Sequence, residues 1–249
     1  MPDPARPLVV IPTYQEADNI VVVLERVRAA APAVSILVVD DGSPDGTADL
    51  AEAAGRQVGG VEVLRRPAKA GLGGAYRAGF AWGLEHGHDV LIEMDADLSH
   101  DPADLPRLLA GMADGAGLTI GSRYVPGGST PHWPAFRRAI SRWGNRYAGF
   151  VLGLQVRDAT AGYRAYRADV LEAIDYQTTS ADGYGFQVEM AYRVQQVGGR
   201  IVEVPIEFSD RVRGTSKMSS RIVVEAMALV TWWGVRDRLL RRGTRSRAR

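Results

Sequence analysis

Through the first half of the chain, short apolar runs alternate with segments whose apolar positions recur at helical spacing. Leu8-Val9-Val10-Ile11 reads as a buried strand, ended by Pro12-Thr13-Tyr14-Gln15-Glu16. Asp18 is placed to cap the next helix, which carries Ile20, Val23, Leu24 and Val27 on one face. Ile36-Leu37-Val38-Val39 predicts a second strand, running into the turn formers of Asp40-Asp41-Gly42-Ser43-Pro44-Asp45-Gly46-Thr47 and a helix over 48–57. A third strand over Val61 to Leu64 leads through Lys69-Ala70-Gly71-Leu72-Gly73-Gly74-Ala75 into a helix ending near Glu85. Val90 to Met94 is the fourth strand, Pro102 to about Met112 the next helix, and Leu118 to Ile120 the fifth strand, ending in Gly121-Ser122-Arg123-Tyr124. Strands alternating with helices of this length predict βαβ units and an α/β fold with a mostly parallel sheet.

Beyond Gly127-Gly128 the pattern changes. Phe136 to Val156 predicts a helix that mixes Arg137, Arg138, Arg142 and Arg146 with Ile140, Trp143, Tyr147, Phe150 and Leu154. Asp158 to Tyr166 reads as turn and strand, Ala168 to Ile174 as a short helix, Phe186 to Val197 as a longer one, and Ile201 to Phe208 as a strand interrupted by Pro205. Arg211 to Lys217 is a polar basic loop, and Arg221 to Leu240 an amphipathic helix. The most apolar stretch, Ile222 to Val235, contains Glu225 and falls short of the roughly twenty apolar residues that a span requires. Trp232 and Trp233 beside Arg236 and Arg238 fit an interfacial helix, or equally one packed on the core. The chain divides on this reading into residues 1–220 (a donor-binding half over 8–124, an acceptor half over 125–220) and a helix with a basic tail over 221–249.

Composition narrows the chemistry. There is no cysteine, which removes disulfides, thiolate metal sites and thiol nucleophiles. The first apolar run is too short for a signal core, so a cytoplasmic location is expected. The net charge of +1 conceals a tail, Arg236 to Arg249, that carries seven Arg and one Asp and leaves −5 for the remainder. A mildly acidic body with a basic end argues against nucleic acid and suits an anionic membrane surface, or a solvated tail.

The centre of the pattern is Asp95-Ala96-Asp97, just past the fourth strand. Paired carboxylates at a buried strand end are costly unless a cation neutralises them, and ligands of open α/β sheets bind at that edge. Mg²⁺ or Mn²⁺ held there by carboxylates would take its remaining oxygens from substrate phosphates. Asp41 suits a base or ribose hydroxyl. Arg123, Arg211, Arg213 and Lys217 suit diphosphate oxygens, where charge develops on a leaving group. No P-loop, dinucleotide fingerprint, nucleophile elbow or His-Glu-x-x-His helix is present, and the four histidines are scattered singly. Gly71-Leu72-Gly73-Gly74 is read as tight loop and helix packing.

Val10 to Glu16, Val38 to Thr47, Met94 to His100 and Gly121 to Tyr124 resemble the family-two inverting glycosyltransferases of the GT-A fold. With Trp133-Pro134, Arg137, Ser141 and Arg211-Val212-Arg213-Gly214-Thr215-Ser216-Lys217, the resemblance is to the dolichol-phosphate (polyprenol-phosphate) mannose synthases. It implies transfer of mannose from GDP-mannose to a polyprenyl monophosphate, and nucleotide contacts at Pro12, Tyr14, Glu16, Val39 and Asp41. Metal and diphosphate contacts are implied at Asp95, Ala96 and Asp97, and phosphate or sugar contacts at Arg123, Arg211 and Lys217. Arg137 and Ser141 match acceptor-phosphate positions. Ser99 stands where some members carry Gln, so the third metal ligand is its hydroxyl or water. The resemblance implies peripheral membrane association, by the chain itself or through a membrane-anchored partner. A UDP-glucose-dependent enzyme and a non-catalytic nucleotide-sugar module are the rival readings.

Overall fold

The computed structural model describes residues 6–69, 71–113, 115–209 and 226–237. Its centre is a seven-stranded sheet. Strands β1 (Pro7–Thr13), β2 (Ser35–Asp40), β3 (Val61–Arg65) and β4 (Val90–Glu93) are parallel to one another. β5 (Leu118–Ser122) and β7 (Ile201–Pro205) are parallel as well, and β6 (Arg164–Arg167) lies between β4 and β5, antiparallel to both. The order is β3-β2-β1-β4-β6-β5-β7, so one reversed strand joins the two halves of the sheet. The carboxyl ends of β1, β2, β4 and β5 therefore share one edge. This is the mostly parallel α/β architecture that the alternating pattern predicts.

The strands read as continuous apolar runs because both faces are covered. Val9, Ile11, Ile36 and Val38 point to a core shared with α1 (Ile20–Ala30), α2 (Thr47–Val58) and α4 (Leu105–Ala113). Leu8, Val10, Leu37 and Val39 point the other way, to α3 (Leu72–Glu85), α5 (Ala135–Leu152) and α7 (Gly183–Gln196). Between β6 and α7 run α6 (Ala168–Ala173) and a 3₁₀ turn, Tyr176–Thr178. Helix α3 sits close to the sheet because glycine faces it: a Cβ at Gly79 would lie 2.4 Å from Val10 Cγ1.

Several boundaries differ from the sequence reading for local reasons. Asn19, not Asp18, holds the cap position of α1, and its amide donates to Glu16 Oε2 at 2.9 Å. The segment opened by Pro102 starts as a 3₁₀ turn, Pro102–Asp104, with the Asp101 carboxylate accepting from Ala103 N, before α4 begins. Helix α5 stops at Leu152, short of Val156, because Gly153 takes a left-handed conformation (φ 67°). Helix α7 begins at Gly183, three residues before Phe186.

Residues 226–237 are helical and pack on α5 and α7. The Tyr147 hydroxyl and Thr231 Oγ1 are 2.7 Å apart, and the Tyr192 hydroxyl donates to Asp237. The tryptophan pair divides its roles. Trp233 is buried in the core with Val230, whereas Trp232 is 62% exposed. No described helix is long and apolar enough to cross a membrane. The Arg211–Lys217 loop, with Arg211, Arg213 and Lys217, and the tail after Asp237 lie outside the described residues.

Candidate active site

At the carboxyl edge of the sheet two neighbouring aspartates do different work. Asp40 is buried and organises the turn, accepting from Ser43 N (2.9 Å), Ser43 Oγ (2.6 Å) and Thr13 Oγ1 (2.9 Å). Asp41 turns to a cavity of about 580 Å³ and takes Arg66 Nη1 at 2.7 Å. Gln15 (φ 61°) and Leu98 (φ 63°), at the ends of β1 and β4, adopt left-handed backbone that side chains disfavour. Such strain persists only where surrounding contacts enforce it, and it clusters at functional sites. Here Gln15 N donates to Ser43 Oγ, and Ser99 N to Asp97 Oδ1.

The cavity gathers most of the residues singled out from the sequence. Pro12, Tyr14, Glu16 and Asp41 line one end; Asp95, Ala96, Asp97 and Ser99 the middle; Arg123 and Arg137 the far end. Val39 is the exception. Strand alternation turns its side chain into the core against α3, so it offers the cavity no side-chain contact. Asp97 is only 6% exposed, and the Asp95 side chain is more open at 32%. The glycine run packs tightly, as expected, and Gly71 and Leu72 also line the cavity. Gly71 has φ +79°, a Cβ there would strike the Asp182 carboxylate at 2.0 Å, and Gly73 N donates to Asp182 Oδ1 at 2.9 Å.

Arg123 has a protein partner. Its Nε and Nη2 meet Asp158 at 2.7 and 2.6 Å, its own backbone N donates to the same carboxylate at 2.9 Å, and Nη2 also reaches Thr160 Oγ1 at 2.8 Å. Burial opposes both charges, but the pairing outweighs it: the Asp158 carboxyl is held below the usual range and the guanidinium is raised. Arg137 stacks on Trp133, with Cζ 3.9 Å from the ring centroid. Ser141 lies outside the large cavity; its Oγ accepts from the Tyr124 hydroxyl at 2.6 Å.

Ser141 belongs to a second cavity, of about 220 Å³, whose surface is mostly apolar and includes Phe136, Ile140, Tyr147, Val188 and Val230. Arg123, Trp133, Arg137, Thr160 and Tyr184 line both cavities and form the wall between them. The apolar cavity opens beside α5, whose exposed Phe136, Ile140, Trp143 and Phe150 share a helical face.

Sequence reasoning missed several participants. His100 is buried behind Asp95, accepts from Asp95 N through Nδ1 at 3.1 Å and stacks on Tyr163. Its one signal in the sequence is its place directly after Ser99, at the end of the Met94 to His100 motif. Lys69, one of only two lysines, lines the cavity with Nζ 4.4 Å from the centre of the Tyr14 ring. Glu93 sits inside an apolar strand with no exposure; burial pushes its carboxyl up to about 8 against the pull of Arg164. A carboxylate inside an apolar run was the signal for it. Asp158 and Gln187 carried no local signal, being brought in from distant elements.

A family model described as glycosyl transferase family 2 matches residues 8–175. The chain belongs to that family. It is 54% identical over 233 residues (94% of this chain, 96% of the relative) to an undecaprenyl-phosphate mannosyltransferase of Micrococcus luteus. It is 52% identical over 235 residues (94% and 89%) to a polyprenol monophosphomannose synthase of Mycolicibacterium smegmatis. A dolichol-phosphate mannosyltransferase of Pyrococcus furiosus is 33% identical over 241 residues, covering 94% of this chain and 66% of that one. Among solved structures, glucosyl-3-phosphoglycerate synthase from Mycobacterium tuberculosis, in complex with Mn²⁺, uridine-diphosphate and glucosyl-3-phosphoglycerate, superposes with a TM-score of 0.68. At 19% identity over 91% of this chain and 78% of that one, that likeness shows the fold.

For a family 2 transferase the acidic strand end fits a divalent cation. Among the described residues no three His, Cys, Asp or Glu side chains converge as a closed metal cluster. Asp95 and Asp97 instead line the cavity with Ser99, whose Oγ is buried and has no hydrogen-bond partner. Two carboxylates and an orphaned hydroxyl make an oxygen-only, open donor set, which suits a hard ion that completes its shell with phosphate oxygens.

Proposed function

We propose that this family 2 transferase moves mannose from GDP-mannose to a polyprenyl monophosphate, giving a β-linked polyprenyl phosphomannose. The observation that carries this reading is the pair of adjoining cavities with a common wall: a polar one at the acidic strand end and an apolar one beside an exposed aromatic helix. The 54% and 52% identical relatives, named as mannosyltransferases of polyprenyl phosphates, support the choice of sugar and acceptor.

The chemistry follows from charge. The nucleoside sits at the Pro12, Tyr14, Glu16 and Asp41 end, and its diphosphate reaches Asp95, Asp97 and Ser99, the residues that would hold Mg²⁺ or Mn²⁺. When bound, that ion neutralises charge developing on the departing diphosphate. Lys69 adds a cation on the same side. Arg211 and Lys217, outside the described residues, retain their assignment to the diphosphate. An acceptor monophosphate is mostly dianionic at neutral pH, its second pKa being about 6, so it attacks the anomeric carbon without a strong general base. Arg137 holds it, and Trp133 contributes an indole N–H that is buried and unpaired. Arg123, neutralised by Asp158, fixes the wall beside Thr160. Attack opposite the leaving diphosphate inverts the anomeric centre.

A panel of GDP- and UDP-sugars with a polyprenyl phosphate and Mn²⁺ tests the reading by following glycolipid formation. GDP-mannose is expected to be used fastest. Preference for UDP-glucose would establish the glucosyltransferase reading, and no transfer from any donor would leave a binding module.

The membrane contact is assigned to the α5 face. Phe136 (76% exposed), Trp143 (53%) and Phe150 (81%) stand among Arg137, Arg138, Arg142 and Arg146, an aromatic and cationic mixture suited to an anionic interface. Trp232 adds to it, and the arginine tail supplies attraction that salt screens. In flotation with anionic vesicles, the double variant Phe136→Glu, Phe150→Glu is expected to lose about tenfold in binding, and a form truncated after Leu240 to bind more weakly and with a shallower salt dependence. Equal, salt-insensitive partitioning of all three forms would rule out both assignments and leave recruitment to a partner protein.

A further inference from the structure

We infer that Gln187 reads a hydroxyl of the donor's sugar, which makes it a specificity-determining residue. The inference rests on a nucleotide sugar occupying the larger cavity. Gln187 lines that cavity yet is only 2% exposed, and its two amide ends are treated unequally. Nε2 donates to Glu93 Oε2 at 2.7 Å. Oε1 is buried and has no hydrogen-bond partner. A buried amide oxygen left unpaired is destabilising, and native proteins keep few of them. One that lines a ligand cavity is placed to take a ligand's hydrogen-bond donor.

The position selects the sugar. The amide lies beside Gly162, where a Cβ would stand 3.9 Å from Gln187 Nε2 and 3.5 Å from His100 Cε1. His100 in turn holds the backbone of Asp95. Gln187 therefore stands next to the diphosphate end of the site and on the side of Tyr184, which belongs to the wall. A sugar bonded to that diphosphate and attacked from across the wall passes this point. A phosphate is a poor partner for an amide oxygen, since both only accept. A hydroxyl donates and accepts, so it satisfies the amide in either orientation.

The residue is also fixed in place. Glu93 holds the side chain from β4, and Arg164, buried opposite Glu93 in the β4–β6 register, donates to the Gln187 carbonyl at 2.6 Å. Arg164 is itself tied to the Ala161 and Ala159 carbonyls at 2.6 and 2.7 Å. A contact held on both its side chain and its backbone is preorganised for discrimination.

The test is a cycle of donor and protein changes. Wild type, Gln187→Met and Gln187→Asn are compared with GDP-mannose and its 2-, 3-, 4- and 6-deoxy analogues, with GDP affinity in Mn²⁺ and thermal melting followed alongside. In wild type one deoxy donor is expected to lose at least about tenfold in kcat/KM. In Gln187→Met that same donor should equal GDP-mannose, with GDP affinity unchanged; Gln187→Asn, with its amide withdrawn, repeats the comparison should the methionine form not fold. Deoxy penalties that persist in the variants, or GDP affinity that falls as far as turnover, would overturn the inference. Failure of wild type to use GDP-mannose would instead overturn the donor assignment, and the cycle then runs on the deoxy series of whichever nucleotide sugar is turned over.

Discussion

Asp97→Asn is expected to reduce sugar transfer by roughly a thousandfold or more while leaving the protein folded. The neighbourhood recommends asparagine over alanine. Asp97 is nearly buried, and its Oδ1 accepts from Ser99 N at 3.0 Å, a bond that shapes the strained turn through Leu98. The amide oxygen of asparagine preserves that bond and removes the charge. Asp97→Ala removes both, so loss of activity in it would mix chemistry with disorder of the turn. Initial rates with saturating Mn²⁺, together with a melting temperature within a few degrees of wild type, measure the effect. Chelation should silence the native enzyme in the same way and be reversed by added metal. Full turnover in excess EDTA would sink the metal assignment.

Asp158→Ala should have the largest effect on stability. It leaves Arg123, 6% exposed, with its charge buried and its carboxylate gone. Breaking one half of a buried ion pair costs about 3–5 kcal/mol, which for a chain of this size lowers the melting temperature by on the order of 10 °C. Thermal unfolding measures this, and a drop of only a degree or two would show that water or Thr160 compensates. The pair also sets an acid limit. The Asp158 carboxyl is held low in the folded state, so its contribution is complete above the unfolded carboxylate range and is lost as pH falls through the folded value. Melting temperature against pH should therefore fall less steeply below about pH 4 in Asp158→Asn than in wild type.

Which parts of this were legible in the chain depended on whether the causes were local. Runs such as Leu8 to Ile11 and Ile36 to Val39 are apolar throughout because they are covered on both faces, and β1 and β2 follow from that alone. The reversal of β6 was not legible, since strand direction is decided by its neighbours. Donor-cavity residues adjacent in sequence, such as Asp95, Ala96 and Asp97, were found together. The partners that tune them were not. Asp158 reaches Arg123 from 35 positions away, and Gln187 reaches Glu93 from 94. Val39 lies inside a motif, yet alternation turns its side chain into the core, which leaves only its backbone to meet a nucleotide. Helix ends were set by single residues, Gly153 by its left-handed backbone and Asn19 by its bond to Glu16, which periodicity does not register.

The wall of Arg123, Trp133, Arg137, Thr160 and Tyr184 has a consequence for how such an enzyme can diverge. Each of those side chains lines both cavities, so on the proposed assignment a substitution that admits a bulkier lipid also reshapes the room for the sugar, and the reverse. Drift on one side is filtered by selection on the other. Innovation in donor choice is then easier at the Pro12–Asp41 end, and in lipid choice along the outer face of α5, where each position answers to one ligand. On that assignment the partition would leave the two extremities free to vary and constrain the middle.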